Sequence, residues 1–297
     1  METIKKKTEK TMKINLTKGI AFTLVFIVFL VYSLTVLYSL FWLLNNSFKT
    51  LGEWDESRFA FAVQNLKNGA LFDNYFAAWN ELDLDGVGVP GMLFNSLWYS
   101  IGGAFVGVWF CGLTAYIVSK YRFIGRELIY GVAIFQMLLP IVGNLPATYK
   151  MYFDLGIVNS PLLLITSAGG LGGNFLILYA SYQSVSDTYM EAARIDGAGH
   201  IAIFFKIMMP QVIPAMFALM LMGYIGLWND YMGPLLYLEE FPTLATGLMI
   251  FEKEMTYDMN MPVFFAGSVI LLTPTLILFA VFSDKIMTNV STGGLKG

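Results

Sequence analysis

Glu191, Ala192 and Ala193, then Gly197 after three residues, then Ile207-Met208-Met209-Pro210 after nine more, form the most specific spacing in the chain. A carboxylate, two small residues and a glycine are not a catalytic set. They suit a docking knob, with an acid to pair with a basic group and little side chain to hold a partner away. The rest of the sequence offers no competing chemistry. It holds one histidine, His200, and one cysteine, Cys111, in 297 residues. A Ser/His/Asp triad, an intrachain disulfide and thiol or metal chemistry are therefore unsupported, and no metal site is expected. No G-x-x-x-x-G-K-[ST] occurs, so the chain has no loop of that kind for nucleotide phosphates. Gly169, Gly170, Gly172 and Gly173 fall inside an apolar segment. Small residues there allow close helix packing or local unwinding, and packing is the expectation.

Two short elements must position the knob. Thr188 and Glu191 have capping-box spacing, which predicts a helix start. Ala192 and Ala193 favour helix, and Gly197 is where it could stop in a left-handed turn. A second amphipathic segment, Ile201 to Met209, is expected to run until Pro210. Two short helices at a sharp angle make a compact projection suited to a partner's groove.

That projection sits on a membrane domain. Hydrophobic residues make up 57% of the chain and charged residues 13%, with a mean hydropathy of +0.63. Soluble domains carry about 25% charge. Six segments are long and apolar enough to span about 30 Å of hydrocarbon: 20–44, 93–118, 128–148, 161–185, 211–238 and 263–283. The expectation is an all-α membrane protein with six transmembrane helices, in which Pro140, Pro146, Pro214 and Pro274 make kinks. Residues 1–19 form a basic tail, 20–284 the permeation domain and 285–297 a second tail. The first segment is too long for a signal peptide. Lysine and arginine placement sets the orientation. With the N-terminus inside, only Lys49, Arg58, Lys67, Lys150 and Lys253 of the 18 basic residues are left outside. Both tails and the 186–210 loop are then cytoplasmic. The outer loop, 45–92, is acidic, with a helix expected near Phe59 to Leu71 and a return at Gly86 to Gly91.

Apart from Asp230 in the fifth segment, the segments carry no Asp, Glu, Lys, Arg or His. Such groups within a membrane mark proton relays and ion paths, so the energy source is expected to lie in another chain. A sodium symporter built on broken helices stays open as an alternative. The neutral polar groups, with Asn174, Tyr179, Tyr182, Asn229 and Asp230 as pathway candidates, suit an uncharged polyhydroxylated solute as a set. Taken singly, each could instead bond between helices.

The Glu191 to Pro210 pattern resembles the cytoplasmic EAA loop of permease subunits of binding-protein-dependent ABC importers, with Met209 in place of the usual leucine. Asn95-Ser96-Leu97, Leu227-Trp228-Asn229-Asp230 and Thr292-Gly293-Gly294-Leu295-Lys296-Gly297 extend the resemblance to the smaller permease of maltose-type, carbohydrate-class importers. Ser186 stands where many relatives have proline. The resemblance implies a type I ABC importer permease fold in a prokaryotic inner membrane and no enzyme activity in this chain. It implies as partners a second permease subunit, a dimer of cytoplasmic ATPases holding ATP and Mg, and an extracytoplasmic sugar-binding protein, with membrane lipid around the subunit and no nucleic acid. This chain itself would bind no cofactor. Glu191, Ala192, Ala193, Asp196, Gly197 and Pro210 would belong to the ATPase-coupling helix. Gly293, Gly294, Lys296 and Gly297 would reach the ATPases, and Phe251 to Pro262 would meet the binding protein. An importer for a non-sugar solute, or a self-sufficient secondary transporter, are the alternatives.

Overall fold

The computed structural model describes residues 2–139, 143–258 and 260–292. It is built of helices, with one two-stranded hairpin among the described residues. The chain divides into two compact units, Met1–Ala78 with Asp258–Val269, and Trp79–Tyr257 with Ile270–Gly297.

In the first unit α1 (Glu2–Ser47) runs unbroken through the basic start and the first apolar segment. Its Phe22–Ser47 portion holds an 18-residue window of mean hydropathy 2.4 with no buried residue, whereas Asn46 and Ser47 at its end are buried. A helix apolar on all sides is at home in hydrocarbon. Helix α2 (Leu51–Glu56) opens on a capping box, with Glu53 N donating to Thr50 Oγ1 at 3.2 Å and Thr50 N to Glu53 Oε2 at 3.1 Å. The other Glu53 oxygen accepts from Val63 N and Gln64 N, both at 2.8 Å, at the start of α3 (Gln64–Asn68). Burial pushes this carboxyl up, but the three N–H donors and Lys49 together hold it below the usual glutamate value. Lys49 is itself buried and donates to the Ser57 carbonyl at 2.8 Å. Desolvation pulls its ammonium below the usual lysine value, against Glu53, which raises it. Trp42, Trp54 and Phe265 meet edge-on with centroids 5.1 to 6.0 Å apart.

The helix expected over Phe59 to Leu71 is present only as α3. The preceding backbone is taken by side chains: Ala60 N donates to Ser57 Oγ at 3.2 Å, Ala62 N to Asn45 Oδ1 at 3.0 Å and Val63 N to Glu53. Side-chain acceptors of this kind compete directly with a helical ladder.

Helix α4 (Asp73–Glu81) leads to the hairpin of β1 (Asp83–Leu84) and β2 (Val87–Gly88). Asp85 and Gly86 turn it with φ of 51° and 86°, the backbone sense that matches strand twist in two-residue hairpins. Then come α5 (Val89–Lys120), α6 (Arg126–Leu138), α7 (Leu145–Asp154), a 3₁₀ segment (Pro161–Ser167), α8 (Gly173–Ser184), α9 (Thr188–Ile195) and α10 (His200–Ile203). A π-helical turn (Phe204–Met208) joins α10 to α11 (Met209–Trp228), followed by α12 (Met232–Tyr237), α13 (Leu244–Asp258) and α14 (Met261–Thr292).

In the second unit α5 is central, packed against the 3₁₀ segment, α8 and α11. Cys111, Ala115, Phe175, Leu178, Tyr182, Met208 and Val212 fill the core. Glycine permits this approach: a Cβ at Gly103 would come within 2.7 Å of Leu227 Cδ1, and one at Gly107 within 3.0 Å of the Ser167 carbonyl oxygen. Phe22–Ser47, Val89–Lys120 and His200–Trp228 are the described helices long and apolar enough to cross a membrane. Ala168–Gly172 is non-helical, so the glycine run unwinds its segment rather than packing a continuous helix. Gly172, at φ 123°, stands outside helical geometry. Irregular backbone at membrane depth is tolerated against protein or a water-filled cavity, not against lipid.

Candidate functional site

The knob begins at Ser186, whose Oγ accepts from Thr188 N at 3.3 Å and donates to Thr188 Oγ1 at 3.0 Å. Thr188 is the first residue of α9 rather than its cap, so the capping box expected with Glu191 is not formed. Asp187 occupies the cap position, but its carboxylate is spent on Lys120 at 2.5 Å. Met190 and Ala193, one turn apart, are buried and seat α9 on the core. The far end closes as a Schellman motif: Gly197 N donates to Arg194 O at 3.0 Å and Ala198 N to Ala193 O at 2.9 Å. Gly197 takes φ 82°, a conformation that strains any side chain. The sequence expectation for this stop holds.

The second half differs from expectation. Pro210 does not end a helix, since His200–Trp228 is one apolar span of 29 residues. The π turn accounts for this. Proline has no N–H and its ring presses on the carbonyl four residues back. Met209 N bonds instead to Phe204 O, five back, and the wider turn passes the ring.

Glu191, Ala192, Asp196 and Gly197 are all exposed, whereas Ala193 is buried in the core at 6% exposure. Pro210 is exposed but lies further along the span. Sequence reasoning passed over three apolar residues on the outer face, Tyr189, Ile195 and Ile201, which are 55%, 87% and 76% exposed. A signal existed. Met190 and Ala193 define the seated stripe of α9, and Ile195 falls off it. Gly293, Gly294, Lys296 and Gly297 lie outside the described residues.

The pathway candidates occupy different environments. Asn174 is exposed on α8. The Tyr179 hydroxyl accepts from Arg126 Nη2 at 3.1 Å and Gln183 Nε2 at 2.9 Å, which ties α6 to α8. Tyr182 is fully buried against Tyr116, with centroids 5.5 Å apart, and its hydroxyl has no partner among the described residues. Asn229 folds back to the Ile225 carbonyl at 2.8 Å. Asp230 accepts from the Tyr99 hydroxyl at 2.8 Å and from Gly233 N at 3.0 Å, pinning the break after α11 to α5. Tyr179 and Asp230 thus make the inter-element bonds that were the alternative to a pathway role. Among the described residues no group of His, Cys, Asp and Glu is placed to hold a metal ion.

Residues 92–292 match the family model described as binding-protein-dependent transport system inner membrane component. The chain is 28% identical over 272 residues to the diacetylchitobiose uptake system permease protein of Streptomyces coelicolor, covering 90% of this chain and 86% of that one. It is 30% identical over 189 residues to a maltodextrin transport system permease protein of Bacillus subtilis, covering 62% of this chain and 68% of that one. Its fold is similar to a chain in the crystal structure of a bacterial ABC transporter involved in the import of the acidic polysaccharide alginate. The TM-score is 0.69 at 22% identity, over 89% of this chain and 95% of that one.

Proposed function

The chain belongs to the binding-protein-dependent transport system inner membrane components, and from that premise we propose that it is the permease subunit through which an ATP-driven importer passes a sugar or oligosaccharide. It has the type I ABC permease fold, in our reading with six spans and cytoplasmic termini. A second permease completes the pathway, a pair of cytoplasmic ATPases binds ATP and Mg, and an external binding protein delivers the solute. Membrane components of this family do not hydrolyse ATP themselves.

The observation that carries this reading is the knob: a short helix seated by Met190 and Ala193, closed at Gly197, and presenting Glu191, Ala192 and Ile195 outward. A rigid projection with a small-residue face, one acid and one exposed isoleucine fits a groove on a partner. Closure of the ATPases around ATP would displace it and rotate the spans, giving alternating access. The sugar assignment rests on relatives named for diacetylchitobiose and maltodextrin and on the exposed neutral polar residues Asn174 and Asn229. The non-helical 168–172 backbone supplies further hydrogen-bonding groups.

Uptake competition by the reconstituted importer tests the assignment, using neutral oligosaccharides, peptides and charged sugars as competitors. Neutral oligosaccharides should compete best. Strong competition by peptides with none from oligosaccharides would remove the sugar assignment and leave the importer reading in place.

A further inference from the structure

Lys120 and Tyr121 stand where α5 ends nearest the knob. The Lys120 side chain is 4% exposed, and its ammonium donates to the Val185 carbonyl at 2.6 Å and to Asp187 Oδ1 at 2.5 Å. Those acceptors lie between the end of α8 and the start of α9. The next residue, Tyr121, shares a hydrogen bond of 2.8 Å between its hydroxyl and His200 Nδ1, at the first residue of α10. The same hydroxyl is 3.3 Å from that of Tyr116, whose ring packs on Phe204 at 4.9 Å between centroids. Two consecutive residues at one helix end therefore hold both ends of the 185–200 stretch. Between the two grips, α9 is closed by its own Schellman bonds and seated on the core. A cation this covered is costly unless it is paired and hydrogen-bonded, and removing its partners is strongly unfavourable.

We propose that Lys120 and Tyr121 are positioning residues of the transport cycle, which clamp the two ends of the 185–200 loop to α5 so that its displacement is delivered along that helix. This rests on the reading of the loop as the ATPase-coupling element. The route has a physical far end, because α5 also carries Tyr99, which holds Asp230 at the break after α11.

The test uses the complete importer in proteoliposomes, with ATP hydrolysis and uptake measured on the same vesicles. A cysteine at Ile195, cross-linked to the ATPase, reports docking in every variant. Lys120→Met should keep the cross-link and ATP hydrolysis while uptake per ATP falls about tenfold or more, the loss appropriate to a charge-assisted hydrogen bond. Tyr121→Phe, which removes only the hydroxyl, should lower the same ratio roughly two- to tenfold, and Lys120→Arg should restore it. A purely structural role would lower assembly and both activities together, leaving the ratio unmoved. Wild-type ratios in Lys120→Met and Tyr121→Phe with the cross-link intact would overturn the proposal and leave the coupling loop standing. If Lys120→Met does not assemble, Tyr121→Phe decides by the same two outcomes. Absence of the cross-link without any Lys120 or Tyr121 change would overturn the coupling reading, and this proposal with it.

Discussion

Tyr99→Phe separates assembly from sugar handling. The hydroxyl of Tyr99, a residue 7% exposed, donates to Asp230 at 2.8 Å, and the carboxylate has Gly233 N as its other donor at 3.0 Å. Removing the hydroxyl leaves a partly buried carboxylate with one donor. A hydrogen bond to a charged group contributes about 1.5–3 kcal/mol, so a loss of about 2 kcal/mol is expected, roughly 30-fold in the folding equilibrium. Asp230→Asn keeps the shape and removes the charge. Its amide can still take Gly233 N on oxygen but loses the charge-assisted bond from Tyr99, so its effect should overlap with that of Tyr99→Phe. A double-mutant cycle in reversible detergent denaturation should then give a coupling of about 1–2 kcal/mol, within the range for residues in direct contact. Substrate competition should be unchanged in the variants that assemble. Additive effects, or a change in sugar preference at normal stability, would refute a structural role for this pair.

Glu53, held below the usual glutamate value by three backbone N–H groups, lends the 50–64 segment stability that is present above the unfolded value of about 4.3. That stability is lost as pH falls through the lower folded value. The protection factors at Val63 and Gln64, which are exchange rates taken relative to the intrinsic rate at the same pH, should therefore fall as the solution is acidified below about pH 5, and Glu53→Gln should flatten that dependence; protection factors unchanged by acid would contradict it. Gly197→Ala places a side chain at φ 82° and should cost about 1–2 kcal/mol, read as faster proteolysis of the knob and slower uptake. Cysteines at Thr3 and Ser184 should be shielded from an impermeant thiol reagent in intact cells, with Cys111 replaced, while one at Asn68 should label. Labelling at Ser184 from outside would reverse the orientation.

Where local chemistry decides, the sequence is readable. Gly197 is legible because a left-handed residue after a short helix excludes most side chains, and Asp85-Gly86 sits in the return expected near Gly86. The membrane character is equally plain, since a segment such as Phe22–Ser47 can do little else. Competition between groups distant in sequence is harder to read. Asn45 and Glu53 take the backbone N–H groups that a helix over Phe59 to Val63 would use. Thr188 has cap spacing, but Asp187 takes the cap position with its carboxylate claimed by Lys120, and Thr188 N donates back to Ser186. Pro210 reads as a stop only if the turn before it is α-helical, and five-residue bonding there removes the clash. The candidate site is half legible for the same reason. Its polar and small residues announce themselves, while the exposure of Ile195 and the grip of Lys120 depend on which faces the core has already taken.

In the proposed cycle this subunit moves solute only when coupled to ATPases that are separate chains. The most direct test is uptake of a labelled neutral oligosaccharide into proteoliposomes holding this chain alone, or with a second permease, the ATPases and the binding protein. Uptake should require the full set and ATP on the ATPase side, and should collapse with Glu191→Lys. Uptake by this chain alone, driven by a sodium or proton gradient without ATP, would contradict the account.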